Sequence, residues 1–150
     1  MEVISLSQEI LSVIQHYTPA YLATVDDGKP RVRPWGLPHL DAETGRLYFS
    51  TASTKAVYEQ LLAVPYVEYS QTSPDNVWVR ISGTVQFDES PEAKEALFKH
   101  EPQLANIYKT PDNPVFKIFY LEEARVTVDD YSPNPQRVYE FKNGSFTLLA

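Results

Sequence analysis

The sequence predicts a mainly β, α+β domain: a small antiparallel β-barrel with a few helices packed on it. Three observations carry this. Asp26-Asp27-Gly28 and Lys142-Asn143-Gly144 each sit between strand-like runs and mark tight hairpins. About eight short strand-like runs follow without the strand–helix alternation of a parallel sheet. Twelve prolines and ten tyrosines in 150 residues imply many short elements packed through aromatic rings. The length suits one domain, residues 1–150, with one core.

The first element is a helix over Ser5 to Tyr17. Ile10, Leu11, Ile14 and Tyr17 recur at helical spacing, Ser5 with Gln8 resembles a capping box, and Pro19 ends the helix. Tyr21 to Val25 is β-branched and aromatic enough for a strand, and the Asp-Gly turn returns the chain antiparallel from about Pro30 to Leu37. Pro30, Pro34 and Pro38 cannot donate ladder hydrogen bonds, so this strand belongs at an edge or a bulge. Asp41 to Gly45 reads as a loop and turn, Arg46 to Thr51 as the third strand, and Lys55 to Leu62 as a short helix. Ser53 and Thr54 stand where an N-cap is expected.

Tyr66 to Gln71 is the fourth strand, closed by the Ser73-Pro74-Asp75-Asn76 turn. Val77 to Phe87 reads as one long strand, with Trp78, Arg80 and Ser82 on one face. Val77, Val79 and Ile81 share the other face, and Gly83 then interrupts the side-chain row, which suggests a bulge or a close backbone approach. Ser90-Pro91 starts a helix, cap then first-turn proline, whose buried stripe is Ala93, Ala96 and Leu97. Pro102 and Pro111 bound a short helix and a loop. Phe116 to Val128 is strand-like, with a bend at Glu122-Glu123. Tyr131 to Gln136 is a loop, and Arg137 to Phe141 pairs with Ser145 to Leu149.

A net charge of −7 argues against nucleic acid and anionic membranes as partners. No apolar run is long enough to span a bilayer, and no secretory signal is expected from an N-terminus that carries Glu2 and no basic segment. The absence of cysteine removes disulfides and thiolate chemistry and fits a cytoplasmic protein. The histidines His16, His39 and His100 have no metal-ligand spacing, and the acidic pairs fall at turns and strand ends. Neither a nucleophile elbow, nor a Walker loop, nor a dinucleotide fingerprint is present. The side chains offer no self-sufficient catalytic set, so an enzyme of this sequence would rely on a cofactor.

One stretch gathers the candidate chemistry, from Gly28 to Lys55. Arg31, Arg33 and Trp35 alternate along a strand and share a face. Ser50 and Thr51 end the next strand, and Ser53, Thr54 and Lys55 lead into a helix. Two guanidiniums, several hydroxyls, an ammonium and a helix N-terminus in one local unit suit an anion, a phosphate above all.

The runs LATVDDGKPRVRPW, LYFSTASTKAVYEQL and VWVRISGTV, in that order and spacing, resemble the pyridoxamine 5′-phosphate oxidase-like flavoproteins. The resemblance covers about Tyr21 to Phe141. It implies a split β-barrel that binds FMN, a homodimer with the flavin at the subunit interface, and an oxidoreductase working on a small-molecule electron donor and acceptor. It gives Arg33 and Lys55 to the flavin phosphate, Pro34 and Trp35 to the isoalloxazine ring, and Ser50 and Thr51 to the ring or the phosphate tail. Ser53-Thr54-Lys55 matches the family's Ser-Arg-Lys run. Thr54 replaces an arginine there, with Arg31 as the candidate substitute, and Trp78 falls at a polar position expected near the ring or ribityl chain.

Two departures set the chain apart from the true oxidases. Pro38 stands where they carry a lysine, and the C-terminal segment PNPQRVYEFKNGSFTLLA lacks their substrate-holding motif. The chain is more similar to the shorter members, including the nitroimidazole-resistance type. The alternatives are a non-catalytic protein that binds flavin, F420 or haem, and an interaction module that has lost its cofactor. Arg80 is expected to be an ion-paired surface arginine rather than a ligand contact.

Overall fold

The computed structural model describes residues 2–150, with side chains from residue 8 onward. In chain order the elements are α1 (Glu2–Ile14), β1 (Ala20–Asp26), β2 (Lys29–Pro34), β3 (His39–Asp41), β4 (Arg46–Ala52), α2 (Ala56–Ala63), β5 (Tyr66–Thr72), β6 (Trp78–Thr84), β7 (Gln86–Asp88), α3 (Pro91–His100), α4 (Gln103–Tyr108), β8 (Phe116–Leu121), β9 (Glu123–Asp129), β10 (Arg137–Lys142) and β11 (Ser145–Leu148). All strand pairs are antiparallel. One sheet runs β11-β10-β9-β6-β5-β1-β2 and the other β3-β4-β8-β7. The two sheets do not close on each other, which makes the barrel a split one.

The hairpins form where the turn residues allow them. Asp27 and Gly28 have φ of 53° and 71°, Asn143 and Gly144 of 53° and 75°, and two successive positive values are what a tight hairpin turn needs. The proline-rich β2 lies at the sheet edge, as its missing N–H groups require. Ser90 caps α3, accepting from the Ala93 N–H at 3.3 Å, with Pro91 in the first turn.

Two long runs divide between the sheets. The Val77–Phe87 run becomes β6 and β7, and the Phe116–Val128 run becomes β8 and β9. Glu122 is the bend of the second. The first turns at Val85, just past Gly83, where a Cβ would lie 2.8 Å from the Glu123 carbonyl oxygen. Glycine is therefore required by the close approach of the neighbouring strand. A short strand, β3, takes in His39 and Leu40, which fall in no predicted element, and the first residue of the Asp41–Gly45 loop, because its backbone pairs with β4.

The main core lies between the sheets and under α1, with Leu22, Phe49, Tyr69, Ile81, Phe119 and Val126 essentially inaccessible. The four-stranded sheet is covered on its other face too, where Phe116, Ile118 and Tyr120 pack with Leu97 and Leu104 of α3 and α4. That double burial explains why β8 is apolar at every position but Lys117. On α3 the buried positions are Lys94 and Leu97, while Ala96 is exposed, because Lys94 turns inward to pair with Glu89 at 3.2 Å. The α1 helix starts before Ser5, so Ser5 lies inside the helix rather than at its cap, and its side chain is outside the described residues. Tyr17 falls beyond the helix and is exposed; Ile10, Val13 and Ile14 form the buried stripe.

At one edge the turns of two hairpins from different sheets touch. A Cβ on Gly45 would lie 3.0 Å from the Gly144 amide nitrogen, and one on Gly144 would lie 3.1 Å from the Gly45 Cα. Both residues have positive φ. No helix of the described residues is long and apolar enough to cross a membrane.

Candidate functional site

A cavity of about 610 Å3 lies among the end of β2, the end of β4, the first turn of α2 and the α3–α4 junction. Its size falls in the range of small-molecule sites, roughly 300–1,000 Å3. Arg33, Pro34, Trp35, Ser50, Thr51 and Lys55 line it, joined by Glu101 and Tyr108.

Alternation along β2 places Arg33 opposite Leu22, on the inward side of the sheet. The guanidinium donates from Nη1 to the Leu22 carbonyl at 3.1 Å and from Nη2 to Gln60 Oε1 at 2.7 Å. The same Gln60 oxygen accepts from the Thr24 hydroxyl, so α2 and β1 together fix the arginine. These partners are neutral. Among the described residues no carboxylate pairs with Arg33, whereas Arg31, Arg80 and Arg137 each have one and Arg46 has two. Burial pulls the Arg33 pKa down from 12.5, the cost of a charge held partly out of water. A half-buried cation with neutral partners stands ready for an anion.

The helix α2 adds to that. Its N-cap is Lys55, in extended conformation, and no side chain caps the first turn. Ser53 and Thr54 therefore do not cap it. The Lys55 N–H closes a turn onto the Ala52 carbonyl at 3.0 Å, and the Ser53 N–H bonds to the Val115 carbonyl at 2.9 Å, which moves the helix start one residue on. Lys55, Ala56 and Val57 line the cavity, so unsatisfied N–H groups and the positive end of the helix dipole belong to its wall. Ser50 and Thr51 lie just before the last residue of β4, and neither hydroxyl has a protein hydrogen-bond partner among the described residues. Trp35 is anchored by its backbone N–H, which donates to the Ala20 carbonyl at 2.9 Å, and its indole lies tilted against Phe119, with centroids 6.1 Å apart.

Arg31, Ser53, Thr54 and Trp78 do not line this cavity. Arg31 is half-exposed and paired with Asp26 at 3.6 Å. Trp78 sits opposite Thr72, on the side of the sheet that carries Arg80 opposite Ser70 and Tyr21 beside Ser70. That is the outward side, so within one chain Trp78 and Arg33 cannot meet the same ligand. The Trp78 ring instead meets Tyr131 edge-on at 4.9 Å. Arg80 is a paired surface arginine, bonded to Thr127, Glu68 and Gln136.

Glu101 and Tyr108 come from the helical segment far along the chain. The Glu101 backbone is fixed at both ends, its N–H to the Leu97 carbonyl at 2.9 Å and its own carbonyl accepting from Leu104 at 3.0 Å. Burial pushes the Glu101 carboxyl and the Tyr108 phenol up from their ordinary values. Lys109, next to Tyr108, has φ 72° and ψ −54°, and the Thr110 N–H bonds back to the Tyr108 carbonyl at 2.9 Å. This is a γ-turn, a strained one. Asn113 Nδ2 donates to the same carbonyl at 2.9 Å.

A second cavity of about 330 Å3 adjoins, sharing Leu37 and Glu101 with the first and including Pro38, His39 and His100. The two imidazoles stack with centroids 3.8 Å apart. Among the described residues no group of three or more histidines, cysteines and acids is placed to hold a metal.

The family model described as pyridoxamine 5′-phosphate oxidase matches residues 6–128. A NimC/NimA family protein from Clostridium acetobutylicum is similar at 27% identity and a TM-score of 0.80, over 92% of this chain and 94% of that one. A pyridoxamine 5′-phosphate oxidase-related, FMN-binding protein from Nostoc punctiforme shares the fold at 17% identity and a TM-score of 0.64, over 97% and 95% of the two chains. A heme-binding protein from Mycobacterium smegmatis does so at 17% identity and 0.69, over 91% of this chain and 57% of that one. Comparison with curated protein sequences finds no match.

Proposed function

The chain belongs to the pyridoxamine 5′-phosphate oxidase family, and from that premise we propose that it holds FMN in the 610 Å3 cavity and acts as an FMN-dependent oxidoreductase on a small molecule. The observation that carries this reading is Arg33, half-buried and without an acid, beside the uncapped start of α2. Arg33, Lys55 and the first-turn N–H groups of α2 hold the phosphate. Ser50 and Thr51 offer hydroxyls without protein partners. Trp35 and the Pro34 backbone give the flat, apolar surface that an isoalloxazine ring needs. When bound, FMN supplies hydride or electron transfer, and the chain contributes anchoring, orientation and exclusion of water.

Among the described residues the lining contains no histidine, cysteine or methionine, the side chains that most often ligate haem iron, and this favours flavin over haem. We further propose a homodimer. Tyr21, Val32 and Tyr66 are 46%, 69% and 48% exposed, and strand register puts all three on the outward face. Such an apolar row on a sheet suits burial against a second copy. In that arrangement Trp78 reaches a flavin only as the neighbouring copy's residue.

The test is an absorption spectrum from about 300 to 600 nm on protein as purified, then heat release and chromatography of the ligand. Flavin bands with FMN released support the reading. A Soret band points to haem, and a spectrum that stays blank after adding FMN overturns the assignment.

A further inference from the structure

The charges around the cavity are unevenly spent. Arg33 and Lys55 are its only cations among the described residues, and in the FMN reading both go to the flavin phosphate. Nothing basic remains for a second anion. The only acid in the lining is Glu101, which forms no ion pair among the described residues and accepts only a long hydrogen bond, 3.5 Å from Gln103 Nε2. Tyr108 stands in the same wall, held by the Lys109 turn and by its ring against Phe116 at 4.8 Å. A carboxylate kept partly out of water without a cation is costly to a fold, and a cationic ligand relieves that cost.

We propose that Glu101 and Tyr108 form the second-ligand subsite of this cavity, and that it takes a small flat cation or N–H donor such as an amidine, an amine or a protonated nitrogen heterocycle. This rests on the FMN reading, because it is FMN that uses up Arg33 and Lys55. Glu101 accepts the N–H fork and Tyr108 supplies an oxygen and a ring face. Carboxylates and phosphate esters are rejected, since they would face Glu101 with no cation to spare. Glu101 also lines the adjoining cavity, so a longer ligand has room to continue past Leu37 toward the His39–His100 stack.

The experiment uses the FMN-loaded protein and three probes, benzamidinium, benzoate and phenyl phosphate, titrated by saturation-transfer NMR and by perturbation of the flavin spectrum. The expected result is benzamidinium binding at least about tenfold tighter than either anion, and about tenfold weaker in Glu101→Gln. FMN affinity of the same variant, measured separately by fluorescence quenching, separates loss of the cofactor from loss of the subsite. Equal or tighter binding of benzoate, or an unchanged benzamidinium affinity in Glu101→Gln, overturns the proposal. The comparison among probes on the unmodified protein stands even if the variant does not fold. FMN that fails to bind sinks the cofactor reading instead, and benzamidinium titrated onto the flavin-free protein then tests Glu101 by itself.

Discussion

Gln60 holds Arg33. One side-chain oxygen accepts from the guanidinium at 2.7 Å and from the Thr24 hydroxyl, so a residue on α2 sets the direction of the one arginine fork in the cavity. Gln60 carries no charge, and it fixes the cation without neutralising it. Replacing Gln60 with leucine should therefore weaken FMN binding about tenfold while leaving the site's charge unchanged, through lost orientation. Fluorescence quenching of FMN checks this; the Thr24 hydroxyl also loses its partner, so a denaturant midpoint should be taken alongside.

Removing the cations acts more directly. A charge-assisted hydrogen bond contributes about 1.5–3 kcal/mol, so Arg33→Ala should lower FMN affinity by about one to two powers of ten. The exposed Lys55 should matter less, because solvent screens it. In the double variant FMN binding should fall out of the micromolar range; an affinity equal to that of the unmodified protein excludes the phosphate assignment.

Toward the other edge of the seven-stranded sheet from β2, Glu9 joins α1 to β10. One carboxylate oxygen accepts from Arg137 at 2.8 and 2.7 Å, the other from the Tyr139 hydroxyl at 2.6 Å. Glu9 raises the Arg137 pKa, and burial followed by Glu9 raises that of Tyr139. Glu9→Ala leaves a buried phenol and a half-buried cation unpaired, and should cost about 2–3 kcal/mol in urea denaturation. Glu9→Gln keeps the acceptor and should cost less.

The His39–His100 stack makes stability depend on pH. Burial, then the neighbouring His100, lowers the His39 pKa from 6.5, and Asp41 offsets this in part. The unfolded chain therefore takes up a proton at a higher pH than the folded one. Stability from this residue is complete above pH 6.5 and is lost as the pH falls from there through the lowered value. Melting temperatures between about pH 5 and 7.5 should drop on the acid side, and His39→Phe should flatten that slope.

Lys109 carries strain for the sake of Tyr108. Glycine adopts its φ of 72° without a Cβ penalty, so Lys109→Gly should stabilise the fold by about 1 kcal/mol, after the extra chain entropy of glycine is subtracted. If thermal unfolding shows a loss instead, the turn is not strained.

Local chemistry was easy to read and sheet membership was not. Asp27-Gly28, Asn143-Gly144 and Ser90-Pro91 announce their turns and cap through residue types that only those conformations favour. The Val77–Phe87 run reads as one strand, and alternation says nothing about which sheet a strand joins; only the interruption at Gly83 hinted at the crossing. The basic half of the cavity was legible because Arg33, Trp35, Ser50, Thr51 and Lys55 are close in sequence. Glu101 and Tyr108 were not, since packing of α3 and α4 brings them there and no motif surrounds them. Trp78 was placed near the flavin by resemblance, and register turns it to the other face.

The contact of Gly45 with Gly144 brings together hairpin turns of two sheets that share no ladder. A methyl group at either position would sit 3.0 to 3.1 Å from the backbone of the other turn, which would have to give by a few tenths of an ångström, so the two positions are coupled. The pair works as a clasp on the open seam of the barrel. Amide protons of the two hairpin turns should then exchange with solvent at matched rates, and Gly45→Ala should loosen the β10–β11 turn although nothing in that hairpin has changed.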